Sequence, residues 1–310
     1  MATTEMSRTI RDDHHRGRRL GRAGQRSALI LLALIALAGV AVAASTQLTT
    51  RDAHSPQAAH SPQAAHSPQA ARSPQAARQC RAVFIPAFFS PGDQWTQAIE
   101  SKPPPHTIIL DITSTGAGSA PEPGFLAVVK QAQAAGTRVL GYATTDYGHR
   151  PAAAVEADVR NYRAWYGVTD TFLDLAANGA DQLGYYQTLA SYIRAVNPGA
   201  TLWLNPGEYP DQRYMSIANV LMVFEGSYAS YRDLQVPSWA LHYPAARFAH
   251  TIYATPASDL ASAVALSGSR GGGNVYVTDR SGANPYSGLP GYWSREDTAI
   301  TSSCTGTASG

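Results

Sequence analysis

Residues 171–205 read TFLDLAANGADQLGYYQTLASYIRAVNPGATLWLN. The stretch opens on an apolar run, 171–174, rich in residues that favour strands. It closes on a second such run, 201–205. Between them Leu183, Tyr186, Ala190, Ile193 and Val196 fall on one face at helical spacing, with Asp181 placed to cap the start and Asn197-Pro198-Gly199 to stop the helix. Two apolar strands joined by a helix of this length form a parallel strand–helix–strand unit.

The same unit repeats outward in both directions. Short β-rich runs occur at 83–89, 107–112, 138–143, 220–224, 248–253 and 274–278, which with the first two makes eight. Most are continuously apolar rather than alternating, as expected of parallel strands covered on both faces. Pro123 opens one intervening helix and Gly136 ends it. Pro151 opens another, with Val155, Val159 and Tyr162 on one face and Gly167 at its stop, and Pro256 starts a third that ends at Gly268. Strand–helix alternation repeated eight times predicts an α/β fold of the (β/α)8 TIM-barrel type in a single domain, 80–304. The triple glycine at 271–273 lies between a helix and a strand, so it is a loop and not a phosphate cradle.

The chain has 310 residues with 24 basic and 22 acidic side chains. Seven arginines and three acids fall within residues 1–26, leaving 17 basic and 19 acidic residues in the remainder. The folded part is therefore near neutral, has no Lys/Arg cluster, and does not read as a nucleic-acid binder. Behind this basic tail, 27–44 is an uncharged apolar run of 18 residues. It reads either as a signal peptide cleaved after Ala41-Val42-Ala43 or as a membrane anchor. Both place the rest of the chain outside the cytoplasm, secreted or held on the outer face of the membrane. Segment 45–79 is a linker. Its core, 54–77, repeats HSPQAA three times and then RSPQAA, a composition that cannot bury enough apolar surface to fold. Cys80 and Cys304 are the two cysteines, and they bracket the predicted domain, with 305–310 as a short tail. In an exported barrel, whose first and last strands are neighbours, they suit one disulfide. The alternative is two free thiols.

Five stretches give the domain a family likeness: RVLGYATTDYGHRP (138–151), TFLD (171–174), ATLWLNPG (200–207), VFEGSY (223–228) and NVYVTDRSGANPYSGLPGYW (274–293). In this order they resemble the spherulin-4 family. The resemblance implies a (β/α)8 barrel related to glycosidases that act on galactosamine-containing microbial exopolysaccharides.

Active-site residues of such barrels sit at the C-terminal ends of strands. Those positions give Asp174 and Glu225 as the catalytic pair, since glycoside hydrolysis needs one carboxyl to protonate the leaving oxygen and another to attack the sugar or activate water. Each also has a plainer reading, as a loop cap and a hydrogen-bond acceptor. Asp111, Tyr142, Tyr147, Asn205, Tyr228 and Asp279 are candidate substrate-binding residues. Asp279 could instead pair with Arg280, and Asp146 is read as a cap for the helix after Pro151. Relatives usually carry Asp-Glu at the end of strand four, where this chain has Asp174-Leu175, and Asp111 stands where they often have Asn. No G-x-S-x-G elbow, metal-binding pattern or cofactor signature is present, so the expected partner is a polysaccharide or oligosaccharide, plus the membrane if 27–44 is retained. If Leu175 abolishes turnover, the expectation becomes a sugar-binding barrel.

Overall fold

A computed structural model describes residues 81–302. The tail, the apolar run, the repeats, Cys80 and Cys304 lie outside the described residues. Among the described residues, no helix is long and apolar enough to cross a membrane.

The described residues form eight parallel strands closed into a barrel in sequence order. They are β1 (Ala82–Ala87), β2 (Thr107–Leu110), β3 (Arg138–Thr144), β4 (Asp170–Asp174), β5 (Leu202–Leu204), β6 (Val220–Ser227), β7 (Phe248–Tyr253) and β8 (Asn274–Val277). The barrel closes where Ala82 and Val83 pair with Asn274 and Val275. The continuous apolar runs have a direct cause. Every residue of β2 is buried, because one face fills the barrel and the other meets helices. Inside, Phe84 lies 5.4 Å from Trp203 and 6.2 Å from Tyr276, ring to ring, and all three are buried. These aromatic side chains fill the barrel beneath the cleft, so the cleft is open at the C-terminal ends of the strands.

The outer layer holds α1 (Asp93–Ile99), α2 (Pro123–Ala134), α3 (Ala152–Asn161), α4 (Leu183–Val196), α5 (Tyr228–Tyr231), α6 (Leu260–Ser269) and α7 (Trp293–Thr301). Pro123 occupies the first turn of α2, and Gly136 follows it with φ +87°, as the sequence predicts. Val155, Val159 and Tyr162 form the buried face of α3 and of the π-turn that prolongs it to Tyr166. Tyr162 is seated on Gly141 of β3, where a Cβ would come within 2.5 Å of its ring.

Two expectations fail. The strand–helix alternation is not complete: the β5–β6 connection holds only a 3-10 turn, Gln212–Ser216, and the β6–β7 connection holds the four-residue α5 and two 3-10 turns. Prolines account for this, with Pro206 and Pro210 in the first connection and Pro237 and Pro244 in the second. Packed aromatic rings cover the barrel there instead. Tyr209 and Trp239 lie 5.8 Å apart, and each lies 6.1 Å from Phe248. The predicted caps also differ. Asp181 belongs to a 3-10 turn ahead of α4 and makes no capping bond, and Pro151, not Asp146, precedes α3.

Candidate active site

Strand register delivers the site. In β4 the side chains of Phe172 and Asp174 share a face, two residues apart, and both line the cleft. Asn205 follows β5 directly and faces the same space. In β6, Met222 and Glu225 are three residues apart, so strict alternation would put them on opposite faces. A register shift against β7 between Met222 and Phe224 reverses the parity, and both line the cleft. A bulge of this kind re-aims a side chain toward a site.

The polar centre hangs on one amide. Asn205 Nδ2 donates to Asp174 Oδ1 at 2.7 Å and to Glu225 Oε2 at 2.6 Å. The two carboxyl oxygens can be no farther apart than these bonds laid end to end, about 5 Å. Asn205 Oδ1 accepts from the Gly207 amide at 2.9 Å, which fixes the orientation of the side chain. Tyr142 donates its hydroxyl to Asp174 Oδ2 at 2.8 Å. The cleft is open to solvent, with about 230 Å³ of free space counting its mouth, and is walled by Pro86, Phe88, Ile109, Met222 and Tyr286 among others.

Burial dominates the electrostatics. It raises the pKa of Asp174, while the Tyr142 and Asn205 donors and the Leu175 amide pull it back toward the charged form. Glu225 is also raised by burial, and then by the charge of Asp174, against the Asn205 donor. Asp111 is pushed up from 3.8 to about 6, chiefly by burial, partly by the Asp174 charge, and against a hydrogen bond from the Ser114 amide to its Oδ1 at 2.7 Å. Burial and the Glu225 charge raise the Tyr286 phenol well above its ordinary value.

The backbone at the barrel mouth is strained. Asp146, Tyr147, Leu175 and Ala254 all have φ between +47° and +54°. A brace holds the β3 and β4 ends in place. The Thr145 amide donates to the Asp174 carbonyl at 2.9 Å, and the Tyr147 amide to the Leu175 carbonyl at 2.7 Å. Buried Thr145 Oγ1 lies 2.9 and 2.8 Å from the same two carbonyls and 2.9 Å from the Tyr186 hydroxyl. Tyr186 in turn accepts from the Ala177 amide at 2.8 Å.

The sequence-predicted residues thus divide. Asp174, Glu225, Asn205 and Tyr142 form one hydrogen-bonded group, with Asp111 near enough for its carboxyl to feel Asp174. Tyr147 stands exposed beside it. Tyr228 begins α5 under the Arg232 guanidinium, 5.9 Å from its ring centre, and does not line the cleft. Asp279 Oδ1 accepts from the Gly291 amide at 3.0 Å, and Arg280 Nε donates to the Leu289 carbonyl, so the ion pair read for Asp279 does not form, and Asp279 is not among the residues lining the cleft. Sequence reading missed Phe88, Met222, Thr251 and Tyr286 as cleft residues. Phe88 packs edge-on against both Tyr142 and Tyr286, at 5.3 and 5.6 Å. Tyr286 lies inside a stretch that carries the family likeness, and that was its one visible signal.

The profile of spherulation-specific family 4 matches residues 82–300, the whole barrel. The chain belongs to this family. Spherulin-4 of Physarum polycephalum is 28% identical over 231 residues, covering 70% of this chain and 69% of that protein. Among solved structures, Sph3 of Aspergillus clavatus, crystallised in complex with GalNAc, superposes with a TM-score of 0.64 at 22% identity, covering 72% of this chain and 98% of that one. At that identity the likeness is one of fold, and it covers the barrel described above.

Proposed function

We propose that the barrel is an exported glycoside hydrolase acting on a hexosamine-containing microbial polysaccharide by a retaining double displacement. The observation that carries this reading is the bridging of Asp174 and Glu225 by a single amide nitrogen. It keeps their near oxygens within about 5 Å of each other, no wider than the spacing retaining enzymes use and short of the wider gap that accommodates an inverting water. Unequal environments assign the roles. Asp174 is raised by burial, but the Tyr142 and Asn205 donors and the Leu175 amide draw it back toward the anion and no neighbouring charge opposes them, which suits the nucleophile. Glu225 also has two donors, Asn205 and Tyr286, but burial and the Asp174 charge together raise it, so it holds the proton.

Glu225 gives its proton to the glycosidic oxygen as the bond to C1 breaks, and Asp174 Oδ attacks C1 from the opposite face to form a glycosyl ester. Ionised Glu225 then takes a proton from water, which attacks C1 and releases the sugar with Asp174 restored. Tyr142 and Asn205 hold the nucleophile, while Phe88, Phe172 and Tyr286 offer apolar faces to the ring. GalNAc bound to Sph3, together with family membership, supports a galactosamine-type unit. The apolar run 27–44 and the repeats 54–77 support export and a stalk.

One observation favours a second reading, a sugar-binding barrel without turnover: Leu175, which can carry no proton, stands where relatives usually have Glu. Reducing-end release from N-acetylgalactosamine-containing polysaccharide separates the two. Release abolished by Asp174→Asn and by Glu225→Gln is expected. Retention of the polysaccharide without release by the unaltered protein would establish the second reading.

A further inference from the structure

Two large apolar side chains face water beside the carboxylates. Tyr147 is 52% exposed and Leu175 is 40% exposed. Both have left-handed backbone, φ +54° and +47°, a conformation that costs a non-glycine residue about 1–2 kcal/mol. The Tyr147 amide donates to the Leu175 carbonyl, so a backbone hydrogen bond ties the two residues together. Leu175 directly follows Asp174, and the charges of Asp174 and Glu225 both reach the Tyr147 phenol. Neither side chain belongs to the buried core or to the wall of the deep cleft. Folding therefore does not explain them: Gly or Asn at 175 would relieve the backbone and remove an apolar group from water. The brace from Thr145 and Tyr186 nonetheless holds that backbone in place.

We propose that Tyr147 and Leu175 form an apolar ledge at the cleft rim, a subsite that takes the C–H face of the pyranose next to the one held between the carboxylates. This rests on the glycosidase reading for the identity of its occupant, and it explains what Leu175 does in place of an acid. The ring of Tyr147 and the branched end of Leu175 are two apolar surfaces tied at one backbone junction, one residue along the chain from Asp174. A pyranose presents polar edges and an apolar face, and stacking that face removes both side chains from water. A Glu at 175 would offer the sugar a charge, where Leu offers contact alone.

The test uses the full chain and N-acetylgalactosamine oligosaccharides of increasing length. Leu175→Gly and Leu175→Asn remove the apolar group while relieving the backbone, and Tyr147→Ala removes the other half of the ledge. Covering the exposed part of a Leu side chain corresponds to about a fivefold change in affinity. Each variant is expected to raise KM about fivefold on the longer oligosaccharides while kcat holds. Leu175→Gly should melt at or above the unaltered protein. A purely structural Leu175 would leave KM alone, and that result, or a fall confined to kcat, overturns the ledge. The same substitutions on a Glu225→Gln background, read as Kd by calorimetry, keep the two readings apart. Weakened binding there supports the ledge even if the unaltered protein shows no turnover and the glycosidase reading falls. Unchanged binding overturns the ledge.

Discussion

Replacing Asp111 with Asn should make the protein more stable at neutral pH and leave it nearly unchanged in acid. Asp111 is partly buried near Asp174, and its pKa rises from 3.8 to about 6 in the folded protein. A folded-state pKa above the unfolded one means that the native state binds the proton more tightly. Stability linked to this group is therefore fully present below the unfolded value, is lost as pH climbs from about 4 to about 6, and stays lost above that. The shift of about two units, at ~1.36 kcal/mol per unit, sets an upper limit of about 3 kcal/mol. Residual contact with water brings the expected effect nearer 2 kcal/mol. Asn retains an oxygen that can accept the Ser114 amide, so the loop anchor survives the change. Urea unfolding of both proteins from pH 4 to pH 8 measures the difference directly. The variant should gain on the parent between pH 4 and 6 and hold its lead above. A difference that does not change with pH would refute the premise that an ionised Asp111 is held against its own preference.

Tyr142→Phe removes one hydrogen bond to a carboxylate and keeps the ring packed between Phe88 and Phe172, so kcat/KM should fall about 10- to 100-fold without loss of fold. With that donor gone the Asp174 pKa rises further, and the acid limb of the rate profile should move to higher pH. Asp158→Ala breaks a partly buried ion pair with Arg150 at 2.6 Å and leaves the buried Ala117 amide without its acceptor, which should cost about 2–3 kcal/mol in urea unfolding. Gly116→Ala strikes the same carboxyl, since its Cβ would lie 2.2 Å from Asp158 Cγ, and should also lower the melting temperature. Glu296 is fully buried, and its pKa lies well above the ordinary value through burial. The stability of the parent should therefore fall as pH rises through that raised pKa, whereas Glu296→Gln should show a flatter profile.

The sequence made the barrel legible because parallel strands covered on both faces leave continuous apolar runs, and all eight were visible. It also showed Asp174 and Asn205, because each directly follows an apolar run and simple alternation orients it. Glu225 was visible as a residue type at the right place, but its orientation depends on a bulge between Met222 and Phe224. That shift is set by pairing with β7, which no local pattern reports. Tyr286 enters the cleft from a connecting segment, where periodicity carries no information, and Phe88 lies in the run read at 83–89 but just past the end of β1. The helices expected after β5 and β6 were over-read, because the alternation was extended across segments whose prolines argued against it. Asp181 has the right residue type for a cap, but a 3-10 turn intervenes before α4. The left-handed backbone at Tyr147 and Leu175 left no trace, since neither residue type advertises it.

The retaining mechanism stands or falls on the stereochemistry of the first product. Proton NMR of N-acetylgalactosamine oligosaccharide cleavage, recorded before mutarotation, reports the anomeric configuration of the newly formed reducing end. The spacing set by Asn205 predicts retention, with no product from Asp174→Asn. Inversion, or product that persists when Asp174 is replaced, would contradict the assignment of Asp174 as the nucleophile.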